Sequence, residues 1–125
     1  MKNFLYIGLA AAFGAWCRWG LGILFNTLHP LFPLGAFIAN LLGGYLTGIS
    51  MGAFELFSEL SPDLKLMINI GFLGGLTTFS AFTADIFQLL QKNEFVASLT
   101  LIALHVIGSL LMAYIGWLSI SLIKQ

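Results

Sequence analysis

Small and polar residues interrupt one long apolar stretch of this chain, IGFLGGLTTFSAF over residues 70–82. The interrupting residues are Gly71, Gly74, Gly75, Thr77, Thr78 and Ser80. Irregular backbone at membrane depth is tolerated only where it is buried in protein or lines a cavity. Because an interrupted membrane helix leaves carbonyl and amide groups free to hold ions, the segment predicts an ion-handling site.

A carboxamide lies inside a second apolar stretch, at Asn40 in GAFIANLLGGYLTG. On a helix its spacing places it on the same face as Gly44 and Thr47. The side chain of Asn40 offers two hydrogen-bond donors and one acceptor group. Two interpretations have equal weight at this stage: a residue that contacts an ion, or a hydrogen bond that joins two helices.

Two aromatic residues of the interrupted stretch, Phe79 and Phe82, are three positions apart and would flank Ser80 on a helix. Both rings then point to the same side. Aromatic edges carry partial positive charge and can face a small anion without holding it as tightly as an ammonium group would. Such moderate binding suits conduction, although simple packing is the alternative for any of the twelve phenylalanines.

A stripe of residues with helical spacing runs along the last apolar stretch: His105, Ser109, Met112 and Gly116. Histidine and serine on one face suit a polar path or a hydrogen bond between helices. One histidine without a neighbouring acid or cysteine is weak support for a metal site or proton transfer. The chain has no nucleophile and base pair, paired carboxylates or phosphate loop, so the sequence predicts no enzyme.

Two charged residues fall within apolar stretches, Arg18 and Asp85. A charge inside a membrane span is expensive and points to function, but Arg18 is close enough to a helix end to reach the interface with its long side chain. We favour this structural role for Arg18. Asp85 is the only acid in any span, and it could cap a helix, pair with Arg18 or Lys92, or lie in a water-filled vestibule.

Composition places the whole chain in a membrane. Of its 125 residues 59% are hydrophobic and 8% are charged, whereas a soluble domain carries about 25% charged residues. Four apolar segments reach the roughly 20 residues that cross a bilayer, at Phe4–Phe25, Leu34–Phe54, Leu66–Leu90 and Phe95–Ile123. The sequence therefore predicts an all-α membrane protein, with one four-helix transmembrane domain over 1–125 and the third helix broken.

The charge distribution gives only a weak signal for orientation. With four spans, one face carries Lys2, Lys65 and Lys124, and the other carries Lys92, with Arg18 if its side chain reaches that way. Because basic residues in short loops set the orientation of membrane proteins, so small a difference is compatible with insertion in both directions, and an antiparallel dimer follows if both orientations coexist. The formal net charge of zero and the lack of a basic patch argue against a nucleic-acid partner.

A close-packing surface is predicted on the second span, where Gly44, Gly48 and Gly52 recur every four residues. Small residues at this spacing let another backbone approach. The approaching helix can belong to the same subunit or to another one, and the sequence does not choose.

Three segments together resemble one family: GAWCRWGLG, GAFIANLLGG and GFLGGLTTFSAF, with HVIGS in the last span. The chain resembles the Fluc family of fluoride channels, also called CrcB proteins, over its whole length. The resemblance implies an antiparallel, dual-topology homodimer in the lipid bilayer of the cell's inner (plasma) membrane. It further implies that fluoride passes passively out of the cytoplasm through two separate pores.

The resemblance also implies roles for individual residues. Asn40 would donate to fluoride, Phe79 and Phe82 would form an aromatic box around it, and Ser80 would add a hydroxyl group. Ser109 and His105 would line the same route.

A structural sodium ion is implied as well, at the dimer centre, on the backbone carbonyls of Gly74 and Thr77. Arg18 would lie near the pore mouth. The chain departs from the family pattern at Ala36 and Ala81, where a hydroxyl residue is common, and at Asp85, where some relatives have glutamate.

Two other functions are compatible with a short four-span protein. A proton-coupled small multidrug transporter needs a membrane-embedded carboxylate, usually in the first helix, and this chain has none there. An inert assembly subunit would explain the small residues, but it would not explain why Asn40, the break and two phenylalanines occur together.

Overall fold

The computed structural model describes residues 2–124, and these residues form helices joined by short connections, without a strand among them. The elements are α1 (Lys2–Phe25), α2 (Leu34–Leu56), α3 (Pro62–Leu66), a π-helical segment (Met67–Leu73), α4 (Gly74–Leu76), α5 (Phe79–Gln91), α6 (Phe95–Ser121) and a short 3₁₀ turn (Leu122–Lys124). The prediction of an all-α chain is confirmed for this part of the protein.

Within residues 2–124, four helical stretches are long and apolar enough to cross a membrane, as the sequence predicted: α1, α2, the combined stretch Pro62–Gln91, and α6. The largest difference from the predicted bounds lies at the start of the third stretch, which begins at Pro62 rather than Leu66. Ser61 explains the earlier start, because its hydroxyl oxygen accepts a hydrogen bond from the Leu64 N–H at 3.2 Å and so caps the helix.

The predicted break in the third stretch is present and has two parts. The segment Met67–Leu73 is widened to π-helical geometry, a form that often occurs at functional sites. The chain then leaves helical geometry altogether at Thr77 (φ −81°, ψ 158°) and Thr78 (φ −148°, ψ 120°). The interrupted stretch therefore consists of helices on either side of two extended residues.

Contacts between helix ends show how the spans alternate in direction. At one end of the bundle, Asn3 Nδ2 donates to Asp63 Oδ1 at 2.8 Å, which joins the start of α1 to the start of α3. At the other end, Asn26 Oδ1 accepts from the Gly35 N–H at 2.8 Å and closes the corner between α1 and α2. Each span thus runs opposite to the span before it.

The glycines of α2 pack against α6 of the same chain. A Cβ atom on Gly48 would overlap the carbonyl oxygen of Ala113, and one on Gly44 would lie 2.6 Å from the carbonyl oxygen of Ser109. A Cβ on Gly52 would lie 3.0 Å from Cβ of Ile120. Of the two alternatives left by the sequence, packing within the subunit is the one that the structure shows.

A small apolar core holds α5 against α6. It consists of Phe82, Ile86, Leu89 and Leu101, which are all at most 9% exposed. Most other large apolar side chains on the helices are exposed, including Phe4, Trp16 and Val96. An outer surface of this kind fits lipid, where exposed apolar side chains carry no penalty.

The Gly48 contact predicts the effect of a single added methyl group. In Gly48→Ala the new Cβ meets backbone of α6, which has no flexible end to move aside, so we expect destabilisation by about 1–3 kcal/mol. Gly8→Ala is the matched control, because a Cβ at Gly8 meets nothing within 4 Å. Thermal unfolding in detergent measures both, and equal unfolding temperatures for the two variants would contradict the packing described here.

Candidate functional site

The broken helix is held by the side chain of Asn40. Its Oδ1 accepts from the Thr78 N–H at 2.8 Å, and its Nδ2 donates to the Thr78 carbonyl oxygen at 3.0 Å. Both backbone groups of Thr78 are therefore satisfied by one amide, where lipid would offer them no partner. The helix-joining interpretation of Asn40 is confirmed by this pair of bonds.

Threonine hydroxyl groups form hydrogen bonds at the end of one helix and the start of the next, on either side of the break. Thr77 ends α4, and its Oγ1 donates back to the carbonyl oxygen of Leu73 at 2.8 Å. Thr78 begins α5, because its Oγ1 accepts from the Ala81 N–H at 3.0 Å in the manner of an N-cap. Two consecutive threonines thus stop one helix and start the next.

His105 lies on the far side of Asn40. Its Nδ1 is 3.0 Å from Asn40 Nδ2, and the residue is only 4% exposed. The imidazole lies between two aromatic rings, with centroid distances of 4.7 Å to Phe82 and 5.2 Å to Phe37. Its Nε2 is buried and has no hydrogen-bond partner among the residues that the structure describes.

Phe79 and Phe82 lie side by side, as their spacing predicted, with ring centroids 5.3 Å apart and planes inclined by 48°. Their surroundings differ, however. Phe82 is 8% exposed and packs in the core, whereas Phe79 is 77% exposed in a single chain. The pair therefore bridges the interior of the bundle and its outer surface.

A groove of about 320 Å³ gathers these residues on one side of the break. Its lining includes five of the six residues predicted for a fluoride pathway: Asn40, Phe79, Phe82, His105 and Ser109. Gly44 and Thr47, which share the Asn40 face of α2, also line it. No Asp, Glu, Lys or Arg occurs among the lining residues, so the groove offers polar contacts without a full charge.

Ser80, the sixth predicted residue, is exposed and does not line this groove. Its Oγ lies 3.3 Å from Thr78 Oγ1, so the two hydroxyl groups share a hydrogen bond at the start of α5. The contribution of Ser80 to a pathway stays a prediction.

Arg18 lines a second groove, of about 560 Å³, between α1, α2 and α5. Ala36, Thr78 and Ala81 line the same groove, so it contains both positions at which a hydroxyl residue is common in the resembled family. Thr78 borders this groove and the Asn40 groove alike. The break consequently separates two grooves, one beside a guanidinium group and one without a charge.

Asp85 lies in a third, more polar cavity of about 210 Å³ near the connection between α1 and α2. His29, Gln88 and Lys92 also line it. Asp85 Oδ2 is buried without a hydrogen-bond partner among the described residues. Of the three roles considered for this acid, lining a vestibule fits its position best.

The carbonyl groups of Gly74 and Thr77 suit a hard cation. In an unbroken helix the Gly74 carbonyl would accept from the Thr78 N–H, which here donates to Asn40 Oδ1. The Thr77 carbonyl would likewise accept from the Ala81 N–H, which here donates to Thr78 Oγ1. The break therefore diverts both amides, and neutral oxygens of this kind coordinate sodium at other broken membrane helices.

Three contacts of the site were not anticipated from the sequence. The sequence places Thr78 only at the break, although its backbone binds Asn40 and its hydroxyl group caps α5. Phe37, which packs on His105, is three residues from Asn40, and this spacing was an available signal. The bond from Ser50 Oγ to Asn69 Oδ1, at 2.8 Å, joins α2 to the π-helical segment and had no signal in the local pattern.

Comparison with known proteins agrees with this architecture. The sequence model of a family described as "CrcB-like protein, Camphor Resistance (CrcB)" matches residues 5–117. A protein of Pseudomonas putida (strain W619) named "Fluoride-specific ion channel FluC" is 48% identical over 93% of this chain and 91% of its own length. A protein of the same name from Tolumonas auensis is 48% identical over 100% of this chain and 98% of its own length. The match over most of the sequence, from the first span into the fourth, establishes that this chain belongs to the CrcB family.

Proposed function

We propose that this chain is a fluoride-selective channel that spans the inner (plasma) membrane of the cell. The observation that carries the proposal is the uncharged groove that brings Asn40, Phe79, Phe82, His105 and Ser109 together beside a broken helix. The names of the relatives support it, because they describe fluoride-specific ion channels rather than enzymes.

The chemistry of the groove fits a small, strongly hydrated anion. Fluoride gives up its water only where hydrogen-bond donors replace it in a narrow passage. Hydroxyl, ring N–H and aromatic-edge groups supply partial positive charge in the groove without a full cation that would trap the ion. Cations find no carboxylate among the lining residues.

Transport is passive and directed outward in this proposal. The membrane potential, negative inside, costs an anion about 2.3 kcal/mol per 100 mV to enter, and it favours exit by the same amount. Fluoride that enters a cell as the neutral acid and ionises there would leave through the channel down this gradient.

The working unit of the proposal is an antiparallel homodimer with two pores. The small difference in basic residues between the two faces favours insertion in both orientations. The strong exposure of Phe79 also supports it, because in a single chain the groove is open along this ring and a second copy could close it.

A sodium ion completes the dimer in this proposal, held where the two broken helices meet. Gly74 and Thr77 of each subunit would supply carbonyl oxygens to it, since their usual helical amide partners donate elsewhere. Bound there, the cation would hold the two breaks together and neutralise four carbonyl dipoles. Arg18, in the neighbouring groove, is proposed to lie at the pore mouth, where a guanidinium group concentrates anions.

The direct test is ion efflux from liposomes that contain the purified protein, measured with a fluoride electrode. We expect rapid fluoride efflux under a potassium diffusion potential and negligible chloride efflux under the same conditions. Liposomes without protein are the control. Equal permeability to chloride or to organic cations would contradict the proposed selectivity.

Phe79→Ile tests the aromatic contribution. Isoleucine keeps much of the apolar volume but removes the ring edge, so we expect fluoride efflux to slow by about threefold to tenfold. Phe4→Ile is the matched control, since Phe4 is 80% exposed and Phe79 is 77% exposed, and Phe4 lies at the start of α1 and does not line the groove. Cross-linking checks that both variants assemble as the wild type does; unchanged efflux in Phe79→Ile would remove the ring from the pathway.

Added lysines test the antiparallel assembly. The pair Ser58→Lys with Glu59→Lys adds charge to one face, and Thr27→Lys with Gln91→Lys adds it to the other; all four positions are exposed. Each variant should insert in one orientation and give little fluoride efflux alone, because basic loops remain cytoplasmic. Coexpression of the two should restore efflux, whereas full activity of either variant alone would argue for a parallel or monomeric channel.

A further inference from the structure

Gly43 leaves a recess on α2 that the methyl group of Thr77 fills. Gly43 is buried, and a Cβ atom built on it would overlap Cγ2 of Thr77 and lie 3.5 Å from Cβ of the same residue. Among the glycines of α2, a helix that the structure describes in full, only Gly43 meets the third span, whereas Gly44 and Gly48 meet backbone of α6. The recess therefore belongs to the break and not to the contact between α2 and α6.

Two hydrogen bonds fix the side chain of Thr77 against this recess. The backbone N–H and Oγ1 of Thr77 both donate to the carbonyl oxygen of Leu73, at 3.0 and 2.8 Å. A β-branched side chain has few staggered positions, so the position of the hydroxyl group also determines the position of the methyl group. A rotation that took the methyl group away from Gly43 would therefore take the hydroxyl group away from Leu73.

The backbone of Thr77 is where α4 ends. With ψ at 158°, the carbonyl group of Thr77 no longer points along the helix. The Ala81 N–H, which would bind this carbonyl in an unbroken helix, donates to Thr78 Oγ1. A Cβ atom on Gly43 would have to displace either the side chain or the backbone of Thr77. The first change loses the hydroxyl bond that closes α4, and the second turns the carbonyl group directly.

The second span holds both extended residues of the break. Asn40 and Gly43 are three residues apart and share a face of α2. Asn40 binds the backbone of Thr78 at 2.8 and 3.0 Å. Gly43 receives the methyl group of Thr77. Two consecutive residues are thus positioned by one helix, the first by shape and the second by hydrogen bonds.

We infer that Gly43 is a positioning residue of the proposed sodium site, because its recess holds Thr77 in the orientation that makes the Thr77 carbonyl oxygen available to the cation. The inference rests on the proposed function and deepens it, since it assigns a residue of the second span to a site whose ligands lie on the third. Gly43 acts only through Thr77 in this arrangement. Loss of a residue that orients a metal ligand typically weakens metal binding about 10- to 100-fold.

The chemistry of a hard cation makes this orientation important. Such an ion is held by several oxygens at short distances. A neutral carbonyl group attracts it only where the oxygen end of its dipole points at the ion. In the proposed dimer the two-fold axis brings two copies of Thr77 to one sodium ion, so a single substitution at Gly43 disturbs two ligands.

Gly43→Ala and Thr77→Ser form a pair of variants that tests the recess. Gly43→Ala adds the overlapping methyl group, and we expect the sodium affinity to fall about tenfold to hundredfold. Thr77→Ser removes Cγ2 but keeps the hydroxyl group that binds Leu73, so the affinity should stay within about threefold of wild type. In the double variant the added Cβ meets only Cβ of residue 77, at 3.5 Å, so the affinity should return to within about threefold of Thr77→Ser alone.

Thermal unfolding in detergent measures the sodium affinity of each variant without relying on transport. Protein freed of sodium is titrated with sodium chloride against N-methylglucamine chloride at constant ionic strength, because a bound ion raises the unfolding temperature in a concentration-dependent way. Gly52→Ala is the matched control. Its Cβ would lie 3.0 Å from Cβ of Ile120 and so strains the contact with α6 away from the break. We expect a lower unfolding temperature in this control, with the sodium affinity of the wild type.

Three results would overturn the inference: wild-type sodium affinity in Gly43→Ala, weak sodium binding in the double variant, or an equal loss of affinity in Gly52→Ala. The double variant lacks the overlap, so it provides this test even if Gly43→Ala alone does not fold. A wild-type protein whose unfolding does not respond to sodium would overturn the inference together with the proposed sodium site. Absent fluoride efflux from wild-type liposomes would instead overturn the proposed channel function, whatever the sodium titration shows.

Discussion

The pair of hydrogen bonds between Asn40 and Thr78 is the interaction on which the site depends. A span that leaves helical geometry in lipid must find partners for its free amide and carbonyl groups, because no water is available to bind them. One carboxamide supplies both partners to Thr78, at 2.8 and 3.0 Å. The amide also joins α2 to the third span, so the same contact that satisfies the break positions the groove beside it.

The close approach of α2 and α6 brings His105 to this amide. Backbone of α6 lies where a side chain at Gly44 or Gly48 would be, and His105 is one turn before the Ser109 that faces Gly44. A larger residue at either glycine would move α6 outward and lengthen the 3.0 Å contact between Asn40 and His105. The glycines of α2 therefore serve the site as well as the packing of the subunit.

Much of this architecture could be predicted from the sequence, and the limits have physical causes. Apolar length and sparse charge predicted four spans, and the Gly and Thr residues of 71–78 predicted the break, because both depend on local chemistry. The partner of the α2 glycines and the bond of Asn69 to Ser50 depend on which helices meet. Periodicity within one helix contains no information about those contacts.

The exposure of the break in a single chain has a further consequence. Gly74, Phe79 and Ser80 are exposed, so the outer side of the discontinuity carries small and polar residues without a cover. Such groups are not stable against hydrocarbon. Asn40 of the same chain satisfies Thr78 on the inner side. In the proposed antiparallel dimer, a second copy with the same break would cover the outer side across a two-fold axis. The proposed dimer contact thus lies on the exposed residues that flank the break, while Thr78 itself is buried and borders both grooves.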